Sequence, residues 1–133
     1  MGAGRSLYIG MSVYNYRQRI EYWLKRIDEA EFNSTNTVLV HRFADALRLS
    51  GVGEAKIVNY LQFTYEILKI NDSDIRRWSR EDVDRIASKL IDKGWSYSTI
   101  AIALRALKRL VHYAKYNTIA DGNAIKYCYE VEH

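Results

Sequence analysis

Proline is absent from this chain, and cysteine occurs once, at Cys128. With no proline, no interior position is barred from a helix by a missing N–H or a ring clash. A single thiol cannot build a disulfide framework or a cysteine-ligated zinc site, so neither a stapled scaffold nor a zinc finger is expected. Long apolar runs are also missing. None approaches the length a bilayer crossing needs, so no membrane partner is expected. The opening MGAGRS has no apolar stretch of the kind a secretory signal requires, although Gly2 and Ser6 give the bare outline of an acylation signal. A cytoplasmic, intracellular protein is the resulting expectation. His41, His112 and His133 are scattered, and the carboxylates sit mostly beside basic residues, so no metal, no cofactor and no small-molecule substrate is expected. The last shortage is local: between Gly94 and Ala120 there is no Asp or Glu.

That local shortage organises the charge. The 133 residues, 48% of them hydrophobic, suffice for one domain with a substantial core. Residues 1–93 carry 15 basic and 13 acidic side chains, net +2, whereas 94–120 contribute +4 and 121–133 contribute −2. One segment, GWSYSTIAIALRALKRLVHYAKY (94–116), therefore supplies the excess. Its Ile100, Leu104, Leu107, Val111 and Ala114 recur at helical spacing and form an apolar face. Ser98, Arg105, Lys108, His112 and Lys115 form a second stripe, with Arg109 beside it. An ordinary solvated face mixes signs through i,i+4 pairs. A helix apolar on one side and wholly basic on the other suits packing below and an anion above.

Elsewhere the pattern is helical as well. Residues 7–16, LYIGMSVYNY, lack a clear period and read as a short strand or extended lead-in. Helices are expected at 16–31, from about 36 to 50, at 54–70, from 80 to the glycine at 94, at 97–116, and briefly at 123–131. NSTN (33–36) reads as a polar break with capping residues, Ser79 with Asp82 as a capping box, and Ser96 as the cap of the basic helix. The class is all-α. A shift of 43 residues superimposes Phe43 on Ile86, Leu47 on Leu90, Gly51 on Gly94, Ile57 on Ile100 and Leu61 on Leu104. The repeated unit is helix, glycine turn, helix.

The segments LRLSGVGEAKIVNYLQFTYEILK (47–69) and WSREDVDRIASKLIDKGWSYSTIAIALRALKRLVHYA (78–114) resemble the N-terminal, SAM-like core-binding domain of tyrosine recombinases and phage-type integrases. The likeness rests on the order of its parts: the glycine turns, Glu54-Ala55-Lys56-Ile57-Val58-Asn59-Tyr60-Leu61, then Ser79-Arg80-Glu81-Asp82, then Ser96-Tyr97-Ser98-Thr99-Ile100. It spans about residues 36–117. Two departures are the lead helix at 16–31 and Tyr97, where the family often has proline. The resemblance implies a bundle of two crossed helical hairpins in residues 36–133, preceded by an N-terminal extension in 1–35. It also implies double-stranded DNA as partner, other protomers of the same recombinase on that DNA, and helices 54–69 and 97–116 at the major groove. On that reading Arg105, Lys108, Arg109 and Lys115 neutralise phosphates, Ser98 and Thr99 donate to a phosphate oxygen, and Lys56 and Asn59 reach base edges.

Catalysis in that family needs a tyrosine nucleophile with two arginines, a lysine and a His-x-x-Arg pair on a second domain. No His-x-x-Arg occurs here: His41 is followed directly by Arg42, and Lys115 stands three residues after His112. The expectation is a chain without catalytic residues, and not itself an enzyme. The alternative is a helical protein–protein interaction module, which SAM-like bundles also serve.

Overall fold

The computed structural model describes residues 2–119, with side chains from residue 15 onward. Within that span the chain is all-helical and has no strand. Five α-helices succeed one another: α1 (Gly2–Glu29), α2 (Ser34–Leu49), α3 (Glu54–Ile70), α4 (Arg80–Ile91) and α5 (Tyr97–Tyr116), with a 3-10 turn at Ile75–Arg77. The extended lead-in expected at 7–16 is corrected, because α1 runs through it. No proline or cluster of turn residues interrupts that stretch, and an isolated glycine costs a helix only about 1 kcal/mol relative to alanine. The short helix expected at 123–131 lies outside the described residues. Among the described residues no helix is long and apolar enough to cross a membrane.

The helix ends obey local chemistry. α1 stops where Glu31 turns left-handed (φ 59°), and Asn33 then opens α2, its side chain accepting from the Thr35 N–H at 2.9 Å. Ser79 and Asp82 form the reciprocal capping box of α4. The Ser79 N–H bonded to the Asp82 carboxylate holds that carboxyl below its ordinary range. The 43-residue repeat extends to the backbone. Gly51 and Gly94 adopt φ of +83° and +80°, conformations that cost glycine little and other residues more. Two residues later Gly53 (φ −64°, ψ 149°) and Ser96 (φ −61°, ψ 157°) start α3 and α5 in nearly identical geometry.

α3 is the hub, packing against each of the other four helices, and its largest contact is with α1. It buries Ile57, Val58, Tyr60, Leu61, Phe63, Ile67 and Leu68. Ile20 and Ile27 of α1 belong to the same core as Phe43, Ile86, Leu90 and Leu107. The N-terminal segment and the rest of the described chain thus share one apolar interior. Ile100 and Leu104 were expected in that interior and are only half-buried. Burial along α5 begins at Ala103 and becomes continuous from Leu110 to Ala114, so its first turns lie at the margin of the core.

Among the described residues three polar side chains are buried, Asn36, Thr64 and His112. Asn36, 1% exposed, donates to the carbonyls of Asp72 (3.1 Å) and Ser73 (2.9 Å) and accepts from the Ile75 N–H (3.0 Å). It stands inside α2, not in the polar break where its sequence context placed it. The same loop receives Trp78, also 1% exposed, whose indole N–H donates to the Ser73 carbonyl at 3.0 Å. Asn36→Ala strands one buried N–H and leaves two carbonyls short of a donor. The expected cost is about 3 kcal/mol, against about 1 kcal/mol for loss of the exposed cap in Ser79→Ala. Urea denaturation of the two variants checks that ranking.

Candidate nucleic-acid interface

Sequence reasoning assigned eight residues to a nucleic-acid surface, and α3 and α5 carry all of them. The first turn of α5 is organised by Ser96, whose hydroxyl accepts from the Thr99 N–H at 3.3 Å and lies 2.9 Å from the Thr99 hydroxyl and 3.3 Å from that of Ser98. Ser98 is exposed and Thr99 half-buried. Their hydroxyls are therefore already linked to the cap of their own helix.

The basic stripe divides in two. Arg105 and Lys108 are exposed, and among the described residues neither has an ion pair or hydrogen-bond partner. Arg109 is half-buried and donates from Nη1 to the Tyr60 hydroxyl at 3.0 Å, with its guanidinium carbon 5.6 Å from the centre of that ring. Its Nε is buried without a partner among the described residues. Lys115 donates to the Trp78 carbonyl at 2.9 Å and lies 3.4 Å from that of Arg76. These two side chains fasten α5 to α3 and to the 3-10 turn. Desolvation separates the halves: an ammonium or guanidinium partly removed from water needs fixed acceptors, and carbonyls and a phenol supply them.

Lys56 and Asn59 on α3 are both exposed. Lys56 stands one turn before Tyr60 on α3, and Arg105 one turn before Arg109 on α5; the Tyr60–Arg109 bond joins the two helices. The structure also reveals a feature that sequence reasoning passed over. α3 begins on Gly53 with no side-chain cap, and open space surrounds Gly51 and Gly53. The signal was available: α2, α4 and α5 are preceded by Asn33, Ser79 and Ser96, and α3 by a glycine. The Gly51 and Val52 N–H groups close on α2 carbonyls, and the first turn of α3 carries the Glu54 carboxylate, 4.0 Å from the Arg17 guanidinium, so this helix start is served by an acid of its own in place of a side-chain cap.

His112 is not on the open stripe. It is buried, 4.8 Å from the Tyr116 ring, with Nε2 3.3 Å from the Thr118 hydroxyl and Nδ1 without a partner among the described residues. No group of His, Cys, Asp or Glu that could hold a metal ion occurs among the described residues. No protein-family model, no curated protein and no solved structure matches the chain.

The fastened and the open cations should differ in what they contribute to stability. Lys115→Met removes the donor from a half-buried carbonyl pair and lowers stability by about 1–2 kcal/mol, whereas Arg105→Met and Lys108→Met stay within about 0.5 kcal/mol; thermal unfolding of the three variants separates them. Burial lowers the pKa of His112, so between its unfolded and folded values the unfolded chain binds the extra proton. Stability is complete above the unfolded value, about 6.5, and falls as pH drops through the folded one. Denaturation midpoints from pH 7.5 to 5.0 are expected to decline in the wild type and to flatten in His112→Gln.

Proposed function

We propose that the chain binds double-stranded DNA through the exposed side of the α3–α5 seam, as a SAM-like core-binding domain of the tyrosine recombinase and integrase type. The observation that carries this reading is the pair Arg105 and Lys108, exposed on an acid-free helix and without a carboxylate partner among the described residues. With Lys56 they neutralise phosphates. Arg109, Lys115, Ser98 and Thr99 chiefly hold α5 in place, with the Ser98 and Thr99 hydroxyls at its edge. Asn59 is the side chain suited to a base edge. In this proposal α2 with α3 and α4 with α5 form the two crossed hairpins, the partner protomers belong to the same recombinase on DNA, and the setting is intracellular. The chain has no strand-cleaving activity of its own.

Three phosphate contacts imply a log–log salt slope of about −3, and so few contacts are expected to bind near the non-specific range of about 10⁻⁴–10⁻⁶ M. Fluorescence anisotropy with a labelled duplex measures both. Reversal in Arg105→Glu/Lys108→Glu should abolish binding with melting unchanged, while Arg19→Glu/Lys25→Glu on α1 removes equal charge and should leave most of it. Equal loss in both variants means diffuse attraction to a basic protein. No binding by the wild type sinks the proposal.

A second reading has its own observation. Tyr97 and Leu49 are each 89% exposed, and Ile102 is exposed between Ser98 and Arg105. Apolar side chains beside the basic stripe suit a protein partner as well. Tyr97→Ser/Ile102→Ser distinguishes the two, because a DNA surface built on phosphates keeps its salt slope in that variant.

A further inference from the structure

The first turns of α5 stand clear of the body. Tyr97, Ser98, Ala101 and Ile102 are exposed, and burial along the helix begins only at Ala103. At about 100° per residue, Tyr97, Lys108, Ala101 and Arg105 fall within about 80° of arc. All four are exposed. They form one stripe, with an aromatic ring at the tip, a small residue next and two cations behind it. Arg105 and Lys108 lie roughly 12 and 17 Å along the axis from Tyr97.

Tyr97 is 89% exposed. Among the described residues its ring has no aromatic, cationic or hydrogen-bonding partner. Its backbone is held all the same. The Ser96 hydroxyl accepts from the Thr99 N–H at 3.3 Å and lies 2.9 Å from the Thr99 hydroxyl, which closes the turn that contains Tyr97. A tyrosine has only two side-chain torsions, so on a fixed backbone its ring meets a ligand at small entropic cost.

The bases of an intact duplex cover one another's faces, and a ring at a helix tip meets only sugar and phosphate there. An unpaired base leaves a π-face open, and an aromatic side chain stacks on it whatever the base. The spacing suits that arrangement. Roughly 12 and 17 Å correspond to three to five steps of a strand at about 3.4 Å each, which sets the two cations against phosphates of the flanking duplex.

We infer that Tyr97 stacks on an unpaired base, and that the chain prefers duplex DNA containing such a base to a fully paired duplex. The inference rests on the DNA-binding reading of the α5 face and adds the class of DNA to it. Arg105 and Lys108 supply the phosphate contacts, Tyr97 supplies the stack, and the small Ala101 between them leaves room for the strand.

The test uses the full chain and three labelled duplexes of one flanking sequence: fully paired, with a one-nucleotide bulge, and with the same bulge lacking its base. In fluorescence anisotropy the bulged duplex is expected to bind about tenfold tighter than the paired one, and the abasic bulge no tighter. Tyr97→Leu keeps an apolar side chain without the ring. It should erase the gain while melting, affinity for the paired duplex and salt slope stay unchanged, and Tyr97→Trp should retain the gain. A fluorescent purine analogue in the bulge should be quenched by saturating wild type and not by saturating Tyr97→Leu. Equal affinity of the wild type for paired and bulged duplexes overturns the inference, leaves DNA binding in place and returns the tip to a protein partner. A gain shared by the abasic bulge overturns it as well, because backbone flexibility then suffices. So does a gain that survives in Tyr97→Leu. Absence of binding to all three duplexes sinks the DNA reading and this inference together.

Discussion

Asn36 ties the loop that follows α3 back to α2. Its amide reaches two carbonyls and one N–H of the 72–75 loop from within α2, so a segment without regular hydrogen bonding is satisfied in a place water does not reach. With the loop fixed, Ile75 and Trp78 enter the core and Trp78 closes its indole onto Ser73. The Trp78 carbonyl then faces Lys115. Through that chain of bonds the rotation of α5 about its own axis is tied to α2, and the rotation decides which of its residues meet solvent.

The charge on α5 becomes intelligible in those terms. Four cations lie along one helix without an acid among them, which in isolation raises self-repulsion. The fold uses two as fasteners, Arg109 to the Tyr60 phenol and Lys115 to main-chain carbonyls. The phenol and the carbonyls are dipoles, and Lys115 also interacts with the Asp82 carboxylate. The cations of the helix that face solvent free of protein carboxylates among the described residues are Arg105 and Lys108.

Much of this was legible in the chain beforehand, and the exceptions have physical causes. Helix positions, the Ser79–Asp82 box and the glycine turns obey local rules, because caps and positive φ are decided within four or five residues. Asn36 was not legible: an asparagine near a helix start is ordinarily a cap, and only the fold brings the 72–75 loop over it. Lys115 and Arg109 look the same as Arg105 in a helical projection, since periodicity gives direction but not the height of the neighbouring wall. Ile100 and Leu104 sit on the correct stripe for burial, yet the body beneath them thins before α5 begins. Residues 7–16 misled through their mixed period, which short apolar runs share between helix and strand.

The two glycine turns show how one backbone solution acquires two uses. Gly51 and Gly94 have the same left-handed conformation, and the residues two positions on have the same extended geometry. After the second turn a serine hydroxyl fills the helix start and ties up Ser98 and Thr99. After the first turn no side chain caps the helix, and the Glu54 carboxylate stands in its first turn. A first-turn acid favours a helix N-terminus through the dipole and a cap through a hydrogen bond, so the two helix starts are stabilised by different means. The repeat thus gives α3 an acid-led start and α5 a serine-capped, acid-free one, and the Tyr60–Arg109 bond joins the two helices.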